Sequence, residues 1–289
     1  MSIKIENLTH IYSEGMPFQK TALEDINIEI NSGEFIGIIG HTGSGKSTLI
    51  QMFNGLIKPT RGNVYINNEN IHAEGVNKRA IRQKVGLVFQ YPEYQLFEMT
   101  IKDDVAYGPK NMGLSKEEID KRVKVSLEAV GLDESYYEKS PFELSGGQKR
   151  RVAIAGILAM NPEILILDEP TAGLDPKGRN ELFAQLQKMH EELGLTIILI
   201  SHSMEDVAKN VERLYVLYEG KVKYQGTPRQ VFANGKELEE IGLGVPQIKL
   251  IMNELNNKGM KVESDVLTVE EAADNIMRYL GGHKEKVND

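Results

Sequence analysis

Apolar residues fall in two rhythms along this chain, and the rhythms predict two kinds of sheet. Near the N-terminus they alternate with polar residues at Ile3 and Ile5, at Ile26, Ile28 and Ile30, and at Val64 and Ile66. That is the period of antiparallel strands with one wet face. Later runs at 35–39, 164–167, 196–200 and 214–218 are unbroken, which suits short strands buried on both faces. Helices are expected after two of them, from Asp175 and from Ser203, giving right-handed crossovers in a parallel sheet. Residues of about 90–160 read as mainly helical. There a capping box, Ser115 to Glu118, precedes a stripe of Ile119, Val123, Leu127 and Val130 that stops at Gly131. Past Gly226 the pattern thins to short amphipathic helices, one with Ile248, Ile251 and Leu255, another capped by Thr268 with Glu271. Their stripes are too small for a core of their own, so packing on the larger domain or across a dimer axis is expected. The fold class predicted is α/β: a parallel core sheet, an antiparallel β subdomain, a helical subdomain and a small C-terminal helical appendage. The boundaries expected are 1–226 for the main domain, with its helical part at about 91–160, and 227–289 for the appendage.

Between the run at 35–39 and a helical stretch ending near Phe53 lie Gly40, His41, Thr42, Gly43, Ser44, Gly45, Lys46, Ser47 and Thr48. Strand, glycine loop and helix in that order build a phosphate cradle from backbone N–H groups, a helix N-terminus and one lysine. Gly43 and Gly45 permit conformations closed to other residues. Lys46 is placed for the β- and γ-phosphates of ATP, and the Ser47 hydroxyl for Mg²⁺. The run at 164–167 delivers Asp168 and Glu169 at its C-terminal end, where open α/β sheets bind ligands. Asp168 is assigned to Mg²⁺ and Glu169 to the water that attacks the γ-phosphate. Two carboxylates before Pro170 are, taken alone, commonly a solvated strand end; the phosphate loop changes that reading.

Leu144, Ser145, Gly146, Gly147 and Gln148 open a long helix with small residues at Ala153, Ala155, Gly156 and Ala159. Ser145 is a good N-cap, and free N–H groups behind it can take an anion. An ordinary capped helix has the same first residue, but not the five in a row. With these pieces in place the chain resembles the ATPase subunits of ABC transporters over residues 3 to about 230. The resemblance implies an ATP site shared between two subunits, with Leu144 to Gln148 of one closing over the phosphate loop of the other. It implies that Tyr12 stacks on adenine and that Gln90 joins Mg²⁺ and the attacking water to a membrane partner. It also implies that Ala172, Gly173, Leu174 and Asp175 form the loop crossing between subunits, and that His202 senses the γ-phosphate. Alone, a histidine after a strand is usually a capping or core residue, Tyr12 an apolar strand end, and Gln90 an unremarkable loop residue.

A narrower resemblance is to the energy-coupling factor group, which imports vitamins and cobalt or nickel. It rests on Gln90, Tyr91, Pro92, Glu93, Tyr94, Gln95, Leu96 and Phe97, on residues 104–109, on residues 153–160, and on residues 240–246. An insertion at 13–18 and the His41–Thr42 pair are similar to the second of that group's two ATPase types. Tyr91, Tyr94 and Tyr107 depart from its usual residues and touch the partner surface, not the chemistry. The partners implied are a homologous second ATPase or a second copy of this chain, a transmembrane coupling subunit, and a small substrate-binding membrane subunit. Pro92, Gln95, Leu96 and Phe97 carry unusual apolar weight for a loop, which suggests a docking surface. Anchoring of Leu96 and Phe97 on the helical region is the competing reading.

Composition sets limits. The 289 residues, 40% hydrophobic, allow one large domain and a small appendage. No apolar run approaches the roughly 20 residues that cross a bilayer, and the first six residues lack a basic-apolar leader. Absence of cysteine excludes thiol catalysis and fits a reducing compartment. A position at the cytoplasmic face of the membrane, through partners, is therefore expected. The net charge of −8 disfavours nucleic acid, and Lys149, Arg150 and Arg151 read as a local basic patch. Two alternatives stay open, service to another ABC importer or exporter and a soluble ABC ATPase not linked to transport; an inactive nucleotide-binding scaffold is disfavoured because Lys46, Asp168, Glu169 and His202 are all present.

Overall fold

The computed structural model describes residues 2–284. The first strands are β1 (Ile3–Tyr12), β2 (Lys20–Ile30) and β3 (Phe35–Ile39), after which comes helix α1 (Lys46–Phe53). Then come β4 (Arg61–Ile66), β5 (Glu69–Asn70), α2 (Lys78–Lys84) and β6 (Val85–Val88). Helices α3 (Ile101–Met112), α4 (Lys116–Ala129) and α5 (Gly146–Leu158) form the helical region. The core resumes with β7 (Ile164–Asp168), α6 (Pro176–Leu193), β8 (Thr196–Ile200), α7 (Met204–Asn210), β9 (Arg213–Tyr218) and β10 (Lys221–Gly226). Four helices end the chain: α8 (Pro228–Phe232), α9 (Gly235–Glu240), α10 (Gln247–Asn257) and α11 (Val269–Lys284).

Two sheets result, as the two rhythms predicted. The alternating segments form an antiparallel sheet in the order β2-β1-β4-β5, and the unbroken runs, with β6 and the half-exposed edge strand β10, form a sheet in the order β10-β9-β3-β8-β7-β6. Strands β9, β3, β8, β7 and β6 run parallel, and β10 is an antiparallel edge. The parallel strands are mostly apolar because both faces are covered. Phe35, Leu165, Leu167, Ile197 and Leu199 face a core shared with the helical region. Their neighbours Ile36, Ile38, Ile164, Ile166 and Ile198 face the other way, onto α1 and the antiparallel sheet.

Local sequence explains most helix ends. Ser115 Oγ accepts the Glu118 N–H at 3.3 Å, but the reciprocal half of the expected capping box is missing. The Glu118 carboxylate takes Arg122 instead, at 2.7 Å, because a charged partner one turn on outcompetes a neutral N–H. Helix α4 ends as read, with Gly131 at φ +73°. The C-terminal region departs from expectation. Val231, Phe232, Leu238, Leu243, Val245 and Leu267 join the main core, whereas Met252, Val262, Val266 and Ala272 make a small cluster of their own. Ile251, expected on the buried stripe of α10, is 52% exposed and Met252 is buried in its place. With only one helix and a loop to cover, α10 turns a narrow stripe inward.

His72 bridges α1 and the start of α2. Its Nε2 meets the Met52 carbonyl at 3.2 Å and its Nδ1 meets the Lys78 ammonium at 3.2 Å. Nδ1 must therefore accept and Nε2 donate, which fixes the neutral tautomer. Burial, and then the Lys78 charge, push its pKa from 6.5 down to about 4. Because the folded value is depressed, the unfolded chain takes the proton first, and stability present above about pH 6.5 is lost as pH falls through about 4. Urea midpoints at pH 7 and at pH 4.5 should thus differ more for the native chain than for His72→Gln. Equal losses in both would remove His72 from the acid limb.

Candidate active site

The phosphate loop lies where sequence placed it, between β3 and α1. Gly43 and Gly45 adopt φ of +84° and +106°. At Gly45 a Cβ would come within 2.7 Å of the Ala22 carbonyl, so both torsion and space demand glycine there. Lys46 is only 7% exposed, and its ammonium donates to the carbonyls of Gly40 at 2.6 Å and His41 at 3.1 Å. Burial pulls its pKa down, and the Glu169 and Asp168 carboxylates pull the other way. Ser44 is fully buried behind the loop.

A cavity of about 470 Å³ opens in front of it. Thr42, Gly43, Gly45, Lys46, Ser47 and Thr48 line one wall, and Gln90, Asp168, Glu169 and His202 another. Tyr12 stands at its edge, 42% exposed, with its hydroxyl 3.1 Å from Thr48 Oγ1 and its ring edge-on to His10. Gly40 and Ser44 support the loop from behind. The His41 ring leaves the cavity and lies against Tyr218, with 5.4 Å between ring centroids. Thus the topology gathers residues from positions 12, 42–48, 90, 168–169 and 202 into one space.

Burial raises the pKa of both Asp168 and Glu169. Lys46 opposes it at Asp168, and at Glu169 the His202 backbone N–H opposes it more than Lys46 does. Glu169 holds a left-handed φ of +51°, uncommon for a residue with a side chain. That torsion turns it away from the line of β7. Its Oε1 is buried without a hydrogen-bond partner and lies 3.6 Å from His202 Nε2. Burial and the Lys46 charge lower the His202 pKa, so its imidazole is neutral at pH 7. Glu169 lines the cavity, and a carboxylate there with one oxygen lacking a hydrogen-bond partner is suited to take a proton from water. Ser47, Gln90 and Asp168 present oxygen donors to the same cavity, and hard oxygens suit Mg²⁺.

Ser145, Gly146, Gly147 and Gln148 line a different cavity, of about 620 Å³, together with residues 172–175. No residue lines both cavities. Helix α5 starts at Gly146, directly after its N-cap Ser145, under a full capping box between Ser145 and Gln148. Leu144 is buried and anchors the turn. Asp175 caps α6, its Oδ1 accepting the Gly178 N–H at 2.7 Å.

Two sequence readings need correction. Arg150 does not belong to a solvated basic patch: it is 2% exposed. Its guanidinium forks onto Glu93 at 3.0 Å and onto the Pro170 and Ala172 carbonyls at 2.7 Å each. The missed signal was its place on the buried stripe with Ile154 and Leu158, one and two turns on. In the loop after Gln90, Pro92 and Leu96 are buried; a 3-10 turn at Pro92–Gln95 rolls them inward. Gln95 remains outside, with Tyr94 84% and Phe97 58% exposed. Phe97 stacks edge-on against Tyr107, and the Phe97 and Glu98 N–H groups bind the Asp104 carboxylate.

A family model described as ABC transporter matches residues 23–172. The chain belongs to that family. Among its relatives are the energy-coupling factor transporter ATP-binding proteins EcfA2 of Clostridioides difficile strain 630 and of Enterococcus faecalis strain V583. The first is 57% identical, over 98% of this chain and 99% of the relative. The second is 49% identical, over 97% and 98%. Among solved structures, cbiO1 from Clostridium perfringens, part of the ABC transporter complex cbiONQ, superposes with a TM-score of 0.76 at 42% identity. That match covers 87% of this chain and 98% of the other. A dimeric ATP-binding cassette in a post-hydrolysis state with ADP and Pi gives 0.67 at 35% identity, over 78% and 98%. The energy-coupling factor ATPases are thus the group within the ABC family to which this chain belongs, and it is an ATP-binding, ATP-hydrolysing subunit.

If Glu169 is the base, Glu169→Gln should keep ATP binding and lose about 10²-fold or more in hydrolysis. The same role sets a pH limb. A base works ionised, and the Glu169 pKa is raised above its usual 4.5, so activity should begin to fall at a higher pH than for an exposed glutamate. Near-native turnover by the purified variant moves the base elsewhere.

Proposed function

We propose that two ATPase subunits close over two ATP molecules and so drive import of a vitamin or a transition-metal ion such as cobalt or nickel. The partner ATPase is a homologue or a second copy of this chain, and a transmembrane coupling subunit and a small substrate-binding membrane subunit complete the complex. The observation that carries this reading is the separation of the two cavities. The phosphate loop and the Ser145 helix start are each half of an anion site, and each faces outward from its own side. Among the described residues no helix is long and apolar enough to cross a membrane. The reading therefore places the protein peripherally, at the cytoplasmic face, held by its partners.

On closure, the Ser145–Gly146–Gly147 N–H groups of one subunit would meet the γ-phosphate held by Lys46 of the other. Tyr12 would stack on adenine. Ser47, Gln90 and Asp168 would hold Mg²⁺, which supplies charge neutralisation at the β- and γ-phosphates. Glu169 takes the proton of the attacking water, and neutral His202 donates its one N–H to a γ-phosphate oxygen. Asp175 sits beside the signature residues, on the side a second subunit would approach. Loss of the γ-phosphate removes the anion that joined the halves, and the dimer opens. Gln90 links that event to the adjoining loop, where Gln95 and Phe97 offer an exposed surface to a membrane helix.

Two measurements test this reading. A mixture of Lys46→Ala and Ser145→Arg subunits, in chains that pair with each other, contains one doubly damaged site and one intact site. It should regain ATP-induced dimerisation that neither variant shows alone; no recovery at any ratio argues for self-contained sites. Separately, Gln95→Ala with Phe97→Ala should leave the isolated ATPase nearly unchanged while uptake in vesicles falls sharply. Intact uptake beside a less stable ATPase would make the loop purely structural.

A further inference from the structure

The turn at 242–247, between α9 and α10, touches the active-site loop and is unused by the reading above. A cavity of about 450 Å³ has His41, Thr42 and His202 on one side and residues 242–245 on the other. Two contacts join the turn to the segment that carries His202. The first is apolar. Leu243 and Val245 are buried in the cluster that holds Met204 and Val207, and a Cβ at Gly244 would lie 4.0 Å from Met204 Cγ. The second is polar. The Gln247 N–H donates to Glu205 Oε1 at 3.1 Å, and the other carboxylate oxygen accepts the Ser203 hydroxyl at 3.4 Å. Ser203 caps α7 and directly follows His202.

The far side of α7 is pinned as well. Asp206, 7% exposed, accepts Arg179 at 2.8 and 2.9 Å and the Thr171 hydroxyl at 3.3 Å. Thr171 lies two residues beyond Glu169. The start of α7 is thus clamped between the segment after the carboxylates and the C-terminal region. Gln247 is the first residue of α10, so its N–H has no use inside that helix and is available for this contact.

We propose that the 242–247 turn positions His202: the Gln247 N–H, through Glu205, and the packing on Met204 hold the His202 loop at the distance a γ-phosphate requires. The C-terminal region is then part of the ATPase machinery and sets how strongly the site distinguishes ATP from ADP. By reciprocity, occupancy of the γ-phosphate position is felt at 242–247. The proposal rests on His202 reading the γ-phosphate.

Proline is tolerated at the first position of a helix, so Gln247→Pro removes the donor without breaking α10. In the full complex, Gln247→Pro and Glu205→Ala should each lower kcat roughly three- to tenfold, with KM for ATP changed by less than about twofold. Glu205→Gln, whose amide oxygen still accepts, should recover most of the rate. In a His202→Ala background, Gln247→Pro should add no further loss. Native kcat in Gln247→Pro beside an impaired His202→Ala overturns the positioning role alone. A Gln247→Pro protein with lowered Tm and raised KM also overturns it, by making the contact merely structural. Native turnover in His202→Ala overturns the His202 assignment and the proposal with it.

Discussion

One lysine and two carboxylates, largely buried where two strands flanking β8 end, are what the rest of this molecule serves. Lys46 follows β3, Asp168 and Glu169 end β7, and β8 lies between those strands. Burial depresses the lysine and raises both acids, so each alone is disfavoured in its charged form. Together they offset one another, because opposite charges attract more strongly where water is thin. A sheet buried on both faces supplies the thin water. It also fixes the strand ends, so the charges cannot drift apart to be solvated.

The same site is open in front and lacks donors there. The cavity before Lys46 takes no residue from Ser145 to Gln148, which open on a separate face with Asp175. An anion held by backbone N–H groups from one side only remains accessible to water. Closing it takes a second surface of the same kind, and the Ser145 helix start is such a surface. In the proposed closed dimer, binding at one chain and contact with another are made of one interaction.

Two buried side chains connect these faces. Arg150, the fifth residue of α5, reaches Glu93 in the loop after Gln90 and two carbonyls just beyond Glu169. Asp206 reaches back from α7 to Arg179 and Thr171. Removing one partner of such a buried pair costs several kcal/mol, on the order of 3–5, because the other is left charged and unpaired. The helix capped by Ser145, the loop after Gln90 and the His202 segment are therefore joined through residues 170–172.

Local sequence determined the two sheets, the phosphate loop and the carboxylate pair, because each is written in contiguous residues. Period-two alternation, unbroken apolar runs and a glycine-rich stretch ending in Lys46 and Ser47 need no distant partner to be recognised. The ends of α4 and the cap at Ser145 were legible for the same reason. What tertiary structure decided was contact between segments far apart in the chain. Arg150 looked solvated beside Lys149 and Arg151 until the fold set Glu93 against it. Pro92 and Leu96 looked exposed until the 3-10 turn buried them and left Gln95 and Phe97 outside. Ile251 and Met252 exchanged roles because one helix and a loop, not a full core, cover α10. The packing of 242–247 on α7 could not be read at all, since burial and hydrogen bonding are properties of the assembled neighbourhood and not of a residue's place in the chain.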